Sequence, residues 1–141
     1  MRDVLKRFWR TKDGIQSHPV RVDALVVEDQ REEAEMLCTL LRHQGAIAIA
    51  VPTIATALEQ LGGPVPFQLA FVDLNLPDGS GVEVVRLVRE RRRLCHVVVV
   101  SGSIEKIPLV VGYGYVGILG KPYTVNSIGE ILWKHRLPCS Y

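Results

Sequence analysis

The sequence predicts an α/β fold in which a doubly wound parallel sheet is covered by helices on both faces. Apolar runs of strand length alternate along the chain with segments of helical apolar spacing, and turn residues separate them. This alternation is typical of βαβ units with right-handed crossovers. The valine run at 97–100 supports a parallel sheet, because strands that are buried on both faces are uniformly apolar.

The individual elements follow from the apolar pattern. The predicted strands are 22–27, 46–51, 69–72, 96–100 and 115–119, and the predicted helices are 30–43, 54–61, 82–92 and 124–135. Their inward faces are predicted to be Ala34, Leu37, Cys38 and Leu41 in the first helix, Val85 and Val88 with Leu87 in the third, and Val125, Ile128 and Leu132 in the last. The segment 103–114 is expected to be irregular, because proline and glycine interrupt it.

Residues 1–20 precede the first strand and are expected to form a basic amphipathic arm. Val4, Leu5, Phe8 and Trp9 make an apolar stripe that needs a surface to cover it. The flank of the domain, or a second copy in a homodimer, is favoured over a membrane because the stripe is short.

Composition excludes several classes of protein. The length of 141 residues fits one domain, and 48% hydrophobic with 23% charged residues is ordinary for a globular protein. The chain shows no membrane-spanning run and no secretory signal at its N-terminus, so a cytoplasmic location is expected. A net charge of +2 gives no argument for nucleic acid binding. Cys38, Cys95 and Cys139 lack metal-ligand spacing and are expected to be reduced thiols.

Polar side chains stand at the carboxyl ends of four predicted strands. Glu28 and Asp29 follow the first strand, Asp73 the third, Ser101 the fourth and Lys121 the fifth. Ligands bind at this edge of an open parallel sheet. Converging carboxylates repel one another unless a cation neutralises them, and Mg²⁺ suits a site with few protein ligands.

The same residues predict phosphoryl chemistry. The backbone carbonyl of Asn75 is close enough along the loop to add a ligand for Mg²⁺. A lysine and a small hydroxyl beside a metal-bound carboxylate make an anion site for phosphoryl oxygens, here Lys121 and Ser101. Asp73 is then expected to be a nucleophile towards phosphorus. Each residue alone has an ordinary explanation as a helix cap, turn hydroxyl or surface lysine, so the hypothesis depends on their joint placement.

Four motifs surround these residues: Val26-Val27-Glu28-Asp29, the loop from Val72 to Gly81, Val99-Val100-Ser101-Gly102 and Gly120-Lys121-Pro122-Tyr123. Together they resemble the receiver domains of two-component response regulators. The resemblance covers about residues 21–137 and leaves a tail at 138–141. It implies a flavodoxin-like (βα)₅ fold with strand order 2-1-3-4-5 and a cis Lys121–Pro122 bond.

The resemblance also implies a role for each site residue. Asp73 would be the phosphoacceptor, taking a phosphoryl group from the phosphohistidine of a sensor histidine kinase or from a phosphotransfer protein. Glu28 and Asp29 would hold Mg²⁺. Such a chain is a signalling phosphoacceptor rather than an enzyme in the usual sense. Since no output domain follows residue 137, we expect a stand-alone receiver that acts through phosphorylation-dependent protein binding and not through DNA.

Two other functions fit parts of the pattern. The family usually has an aromatic residue three positions before the lysine, where this chain has Ile118. That departure, with the interrupted segment 103–114, favours a binding module that phosphate does not regulate, while the complete set of site residues argues against it. A phosphatase of the haloacid dehalogenase type would need a second aspartate two residues after the nucleophile, where this chain has Asn75.

Overall fold

The computed structural model describes residues 10–11, 14–15, 22–91, 95–102 and 117–135. Five strands form one sheet: β1 (Asp23–Val27), β2 (Ile47–Val51), β3 (Leu69–Asp73), β4 (His96–Ser101) and β5 (Gly117–Gly120). All neighbouring strands are parallel, in the order β2-β1-β3-β4-β5. The predicted fold and the predicted strand order 2-1-3-4-5 are therefore confirmed.

Four described helices cover the two faces of the sheet: α1 (Arg31–His43), α2 (Ile54–Leu61), α3 (Val82–Arg91) and α4 (Val125–His135). The larger buried residues of α1, which are Leu37, Cys38 and Leu41, belong to one core cluster together with the buried residues of α4, and those of α2 and α3 belong to the other. The valines of β4 alternate between them, with Val98 and Val100 in the first cluster and Val97 and Val99 in the second. No helix in the described ranges is long and apolar enough to cross a membrane.

The helix faces agree with the prediction except at one residue. The inward residues predicted for α1 are all buried, as are Val85 and Val88, while Leu87 is half-buried. Val125 was predicted to be inward and is 40% exposed. It is the first residue of α4, and it follows the loop that connects β5 to this helix. The core contacts of α4 come instead from Ile128, Ile131 and Leu132.

Several predictions lie outside the described residues. These are the helical stripe of the arm, the irregular segment 103–114, the start of the fifth strand at 115–116 and the tail at 138–141. Within the arm's range, the structure pairs Arg10–Thr11 with Gly14–Ile15 as short antiparallel strands.

The loop after β3 is anchored to the start of α2. It contains a small antiparallel hairpin formed by Asn75–Leu76 and Gly79–Ser80. The carboxylate of Asp78, in the turn of this hairpin, accepts hydrogen bonds from the backbone N–H groups of Ile54 and Ala55 at 2.9 and 3.1 Å. These bonds satisfy two N–H groups that no carbonyl within the helix can reach. The loop beside Asp73 is thus held by a neighbouring helix.

Candidate functional site

Strand register brings the predicted residues to one edge of the sheet. Asp73, the last residue of β3, lies opposite Val100 of β4, and Ser101 lies opposite Gly120 of β5. Glu28 directly follows β1, and the backbone N–H of Lys121 donates to the carbonyl of Ser101 at 3.1 Å. The predicted convergence at the carboxyl edge is therefore present in the structure. The Lys121–Pro122 peptide bond is cis, as the resemblance implied.

Lys121 is at the centre of the site. Its ammonium group donates to Asp73 Oδ2 at 2.7 Å, to Glu28 Oε1 at 2.8 Å and to Glu33 Oε2 at 2.8 Å. The side chains of Glu28 and Asp73 are 5% and 6% exposed, whereas that of Glu33 is 42% exposed. Because a lysine ammonium has three N–H donors, every donor of Lys121 has a carboxylate acceptor.

Glu33 is a site residue that the sequence reasoning missed. It lies in the first turn of α1, four residues before the buried Leu37 and eight before the buried Leu41. This i, i+4, i+8 spacing places Glu33 on the border of the inward helix face, at the end nearest the acidic pair. The periodicity that identified the helix core therefore places Glu33 beside the acidic pair, while its contact with Lys121 follows only from the packing of α1 in three dimensions.

Tyr123 is a second residue that the prediction did not assign to the site. Its hydroxyl donates to the backbone carbonyl of Glu33 at 3.3 Å. Burial raises the pKa of Tyr123 to about 12, so the hydroxyl remains a donor throughout the neutral range. The bond joins the segment after Lys121 to the first turn of α1.

Burial and charge act in opposite directions on the acidic groups. Burial, reinforced by the nearby carboxylates of Asp73 and Glu33, raises the pKa of Glu28 to about 9. Burial alone would also raise the pKa of Asp73, but the neighbouring carboxyl group of Glu28 and hydrogen bonds from Lys121 and the backbone N–H of Asn75 hold it below its usual value. Burial disfavours the charged lysine, yet the carboxylates around Lys121 keep its pKa above its ordinary value.

The acidic residues fit a hard divalent cation such as Mg²⁺. Oxygens of Glu28, Asp29 and Asp73 all lie within 4.8 Å of one another. Glu28 Oε2 is buried and has no hydrogen-bond partner. A buried carboxylate oxygen without a partner is costly, and a cation with oxygen ligands would relieve that cost. Asn75 donates its N–H to Asp73 Oδ1 at 2.8 Å, and the use of its carbonyl as a ligand stays a prediction.

The effect of Mg²⁺ on stability is expected to grow with pH. Between pH 4.5 and about 9 the folded protein keeps a proton on Glu28 that the unfolded chain releases. The free energy of unfolding in EDTA should therefore fall as pH rises, by about 2 kcal/mol or more from pH 6 to 9. Mg²⁺ favours the ionised carboxylate and should offset most of that fall.

Urea denaturation at each pH, with EDTA or millimolar Mg²⁺, measures this effect. The shifted groups in contact with Glu28 titrate outside the window, because the pKa values of the acids Asp73 and Glu33 are lowered and that of Lys121 is raised. Glu28→Gln should therefore remove most of the pH dependence. An equal slope in this variant would contradict the assignment.

The fold and the site together define a class of protein. The five-stranded parallel sheet carries an acidic cluster at its carboxyl edge. A lysine contacts the aspartate at the end of the central strand. This arrangement is the architecture of a receiver-type signalling domain. The chain belongs to the response regulator receiver domain family, whose profile matches residues 24–132. Receiver domains of this family are phosphoacceptors in two-component signalling and not enzymes in the usual sense.

Individual relatives agree with this assignment. A response regulator receiver protein of Anaeromyxobacter sp. strain Fw109-5 is 39% identical over 111 residues, which is 78% of this chain and 44% of that protein. A CheY-like receiver domain from Methylobacillus flagellatus superimposes with a TM-score of 0.74 at 29% identity, covering 82% of this chain and 99% of that one. A response regulator from Burkholderia pseudomallei was solved with a phosphorylated aspartic acid, a calcium ion and citrate. It superimposes with a TM-score of 0.73 at 26% identity, covering 82% of this chain and 68% of that one.

Proposed function

We propose that Asp73 accepts a phosphoryl group from the phosphohistidine of a sensor histidine kinase or a phosphotransfer protein, with Mg²⁺ in the acidic cluster. The observation that carries this proposal is the contact of 2.7 Å between Lys121 Nζ and Asp73 Oδ2 beside the unpartnered Glu28 Oε2. The ammonium group of Lys121 is a cation within reach of incoming phosphoryl oxygens. Glu28 Oε2 is an oxygen that can bind a metal ion.

The transfer breaks one bond and forms one. A carboxylate oxygen of Asp73 attacks phosphorus, and the P–N bond of the donor breaks. The electron pair of that bond returns to the imidazole nitrogen, and the imidazole leaves with the proton on its other nitrogen. Lys121 then neutralises charge on the phosphoryl oxygens, and the hydroxyl of Ser101 donates a hydrogen bond to one of them. Glu28, Asp29, Asp73 and the backbone carbonyl of Asn75 would hold Mg²⁺, which when bound would neutralise further negative charge on the phosphoryl oxygens.

The output of the chain is proposed to be phosphorylation-dependent binding of another protein, with the receiver unit at residues 21–137 in the cytoplasm. Phosphorylation changes the partners of Lys121 and thereby shifts the conformational population that a partner recognises. The phosphorylated aspartic acid in the Burkholderia pseudomallei regulator supports the chemistry proposed for Asp73. Ile118 is 36% exposed, and this aliphatic residue favours a readout that differs from the usual aromatic one.

Intact-mass spectrometry after incubation with acetyl phosphate tests the proposal. With Mg²⁺ we expect the mass of one phosphoryl group to be added per chain, and with EDTA none. The product should be stoichiometric, whereas a phosphatase would turn over a generic phosphate ester. Thermal stabilisation by Mg²⁺ without any adduct would contradict the proposal and favour a binding module that phosphate does not regulate.

A further inference from the structure

Glu33 competes for the lysine that the proposed phosphoryl transfer requires. All three N–H donors of Lys121 are given to carboxylates, at 2.7 Å to Asp73 and at 2.8 Å to Glu28 and Glu33. A phosphoryl oxygen can accept a hydrogen bond from this ammonium only if one of these contacts weakens.

Of the three contacts, the one to Glu33 is the least constrained. Glu28 and Asp73 are buried, and together with Asp29 they form the acidic cluster whose oxygens lie within 4.8 Å of one another. Glu33 is not in that group, and its side chain is 42% exposed. Its carboxylate can therefore turn into water with little loss of solvation.

The backbone of Glu33 is nevertheless fixed beside the lysine. The hydroxyl of Tyr123, two residues after Lys121, donates to the carbonyl of Glu33 at 3.3 Å. The first turn of α1 is also closed by the bond of 2.9 Å from the N–H of Ala34 to the carbonyl of Gln30. A full-length glutamate side chain at this position therefore reaches Lys121, and a side chain shorter by one methylene does not reach as far.

We propose that Glu33 is a positioning residue that holds Lys121 in the unphosphorylated arrangement and thereby slows phosphorylation of Asp73. This inference rests on the proposed function. The contact between Glu33 and Lys121 is lost or weakened when Lys121 turns to the phosphoryl group, so its energy opposes the transfer. Removing that contact accelerates formation of the adduct and strengthens binding of beryllium fluoride, an inorganic mimic of the phosphoryl group.

Three variants of the full chain test the proposal by the initial rate of adduct formation with Mg²⁺ and acetyl phosphate. Glu33→Gln removes the charge and weakens the contact, and we expect a rate increase of about fivefold, the size given by a partly exposed ion pair. Glu33→Asp keeps the charge but shortens the side chain, so we expect a similar increase. Glu32→Gln is the matched control, because Glu32 is an exposed glutamate in the same helical turn, and we expect less than about a twofold change.

The outcomes separate the possible explanations. Equal rates for Glu33→Gln and Glu32→Gln would overturn the proposal. A wild-type rate for Glu33→Asp would also overturn it, because the effect would then come from negative charge near the donor and not from the contact with Lys121. A matching rise in affinity for beryllium fluoride in both Glu33 variants supports the proposal, and unchanged affinity contradicts it. If the wild-type chain itself gains no phosphoryl group, the proposed function fails and this inference fails with it.

Discussion

Replacing Asp73 with Asn is expected to abolish the phosphoryl adduct. The amide oxygen of asparagine is a much weaker nucleophile than a carboxylate, so the rate should fall on the order of a thousandfold or more. Asn has nearly the same shape as Asp, and its amide oxygen can still accept a hydrogen bond from Asn75 N–H or from Lys121, so the fold should be retained. A time course of intact mass with acetyl phosphate and Mg²⁺ measures the loss.

Asp78→Asn provides the matched control for this experiment. It makes the same chemical change in the same loop, but the carboxylate of Asp78 accepts from the N–H groups of Ile54 and Ala55 at the start of α2. We therefore expect adduct formation at close to the wild-type rate. An adduct that persists in Asp73→Asn would place the phosphoryl group on another residue. Loss of the adduct in both variants would mean that the loop geometry, and not the nucleophile, limits the reaction.

The sequence predicted where these residues lie because local patterns show where each strand ends. The parallel topology then places those ends at the same edge of the sheet. Glu28, Asp73 and Lys121 are far apart along the chain, yet each follows an apolar run that ends abruptly. Once the runs are assigned to one parallel sheet, their carboxyl ends must share an edge. In the structure the ammonium group of Lys121 donates hydrogen bonds to both Glu28 and Asp73.

The sequence did not reveal the contacts or exposure of three residues. These depend on how far a side chain reaches and on where a helix begins or ends. Glu33 lies on a helix that follows the acidic pair, and only the three-dimensional placement of α1 over the sheet shows that its carboxylate reaches Lys121. Val125 has the correct helical spacing, but as the first residue of α4 it is 40% exposed, and periodicity alone does not show where along a helix burial begins. Asp78 is of a residue type common in turns, which the sequence shows. Its carboxylate accepts from the start of α2, about 24 residues earlier in the chain, and local sequence patterns do not show that contact.

Replacing Gly81 with Ala is expected to destabilise the protein strongly. Gly81 is buried between the hairpin and α3, and its N–H donates to the carbonyl of Leu74 at 3.1 Å. A Cβ added here would overlap the carbonyl oxygen of Asp73 and approach Val72 Cγ1 to 2.9 Å. Since the main obstacle is backbone, it cannot move aside by a rotamer change. We expect a loss of about 3 kcal/mol in the free energy of unfolding, the upper part of the usual range for overpacking.

Gly120→Ala separates this steric effect from the general effect of adding a methyl group. Gly120 is also next to the site, directly before Lys121, but a Cβ added there meets no atom within 4 Å. Urea denaturation should show a change within about 0.5 kcal/mol for this variant. If Gly81→Ala were no less stable than Gly120→Ala, the close approach of Gly81 to Asp73 would not constrain the fold. If it is less stable as expected, the overlap is relieved by a shift between Gly81 and the strand end that carries Asp73, so the rate of adduct formation should fall in Gly81→Ala and not in Gly120→Ala.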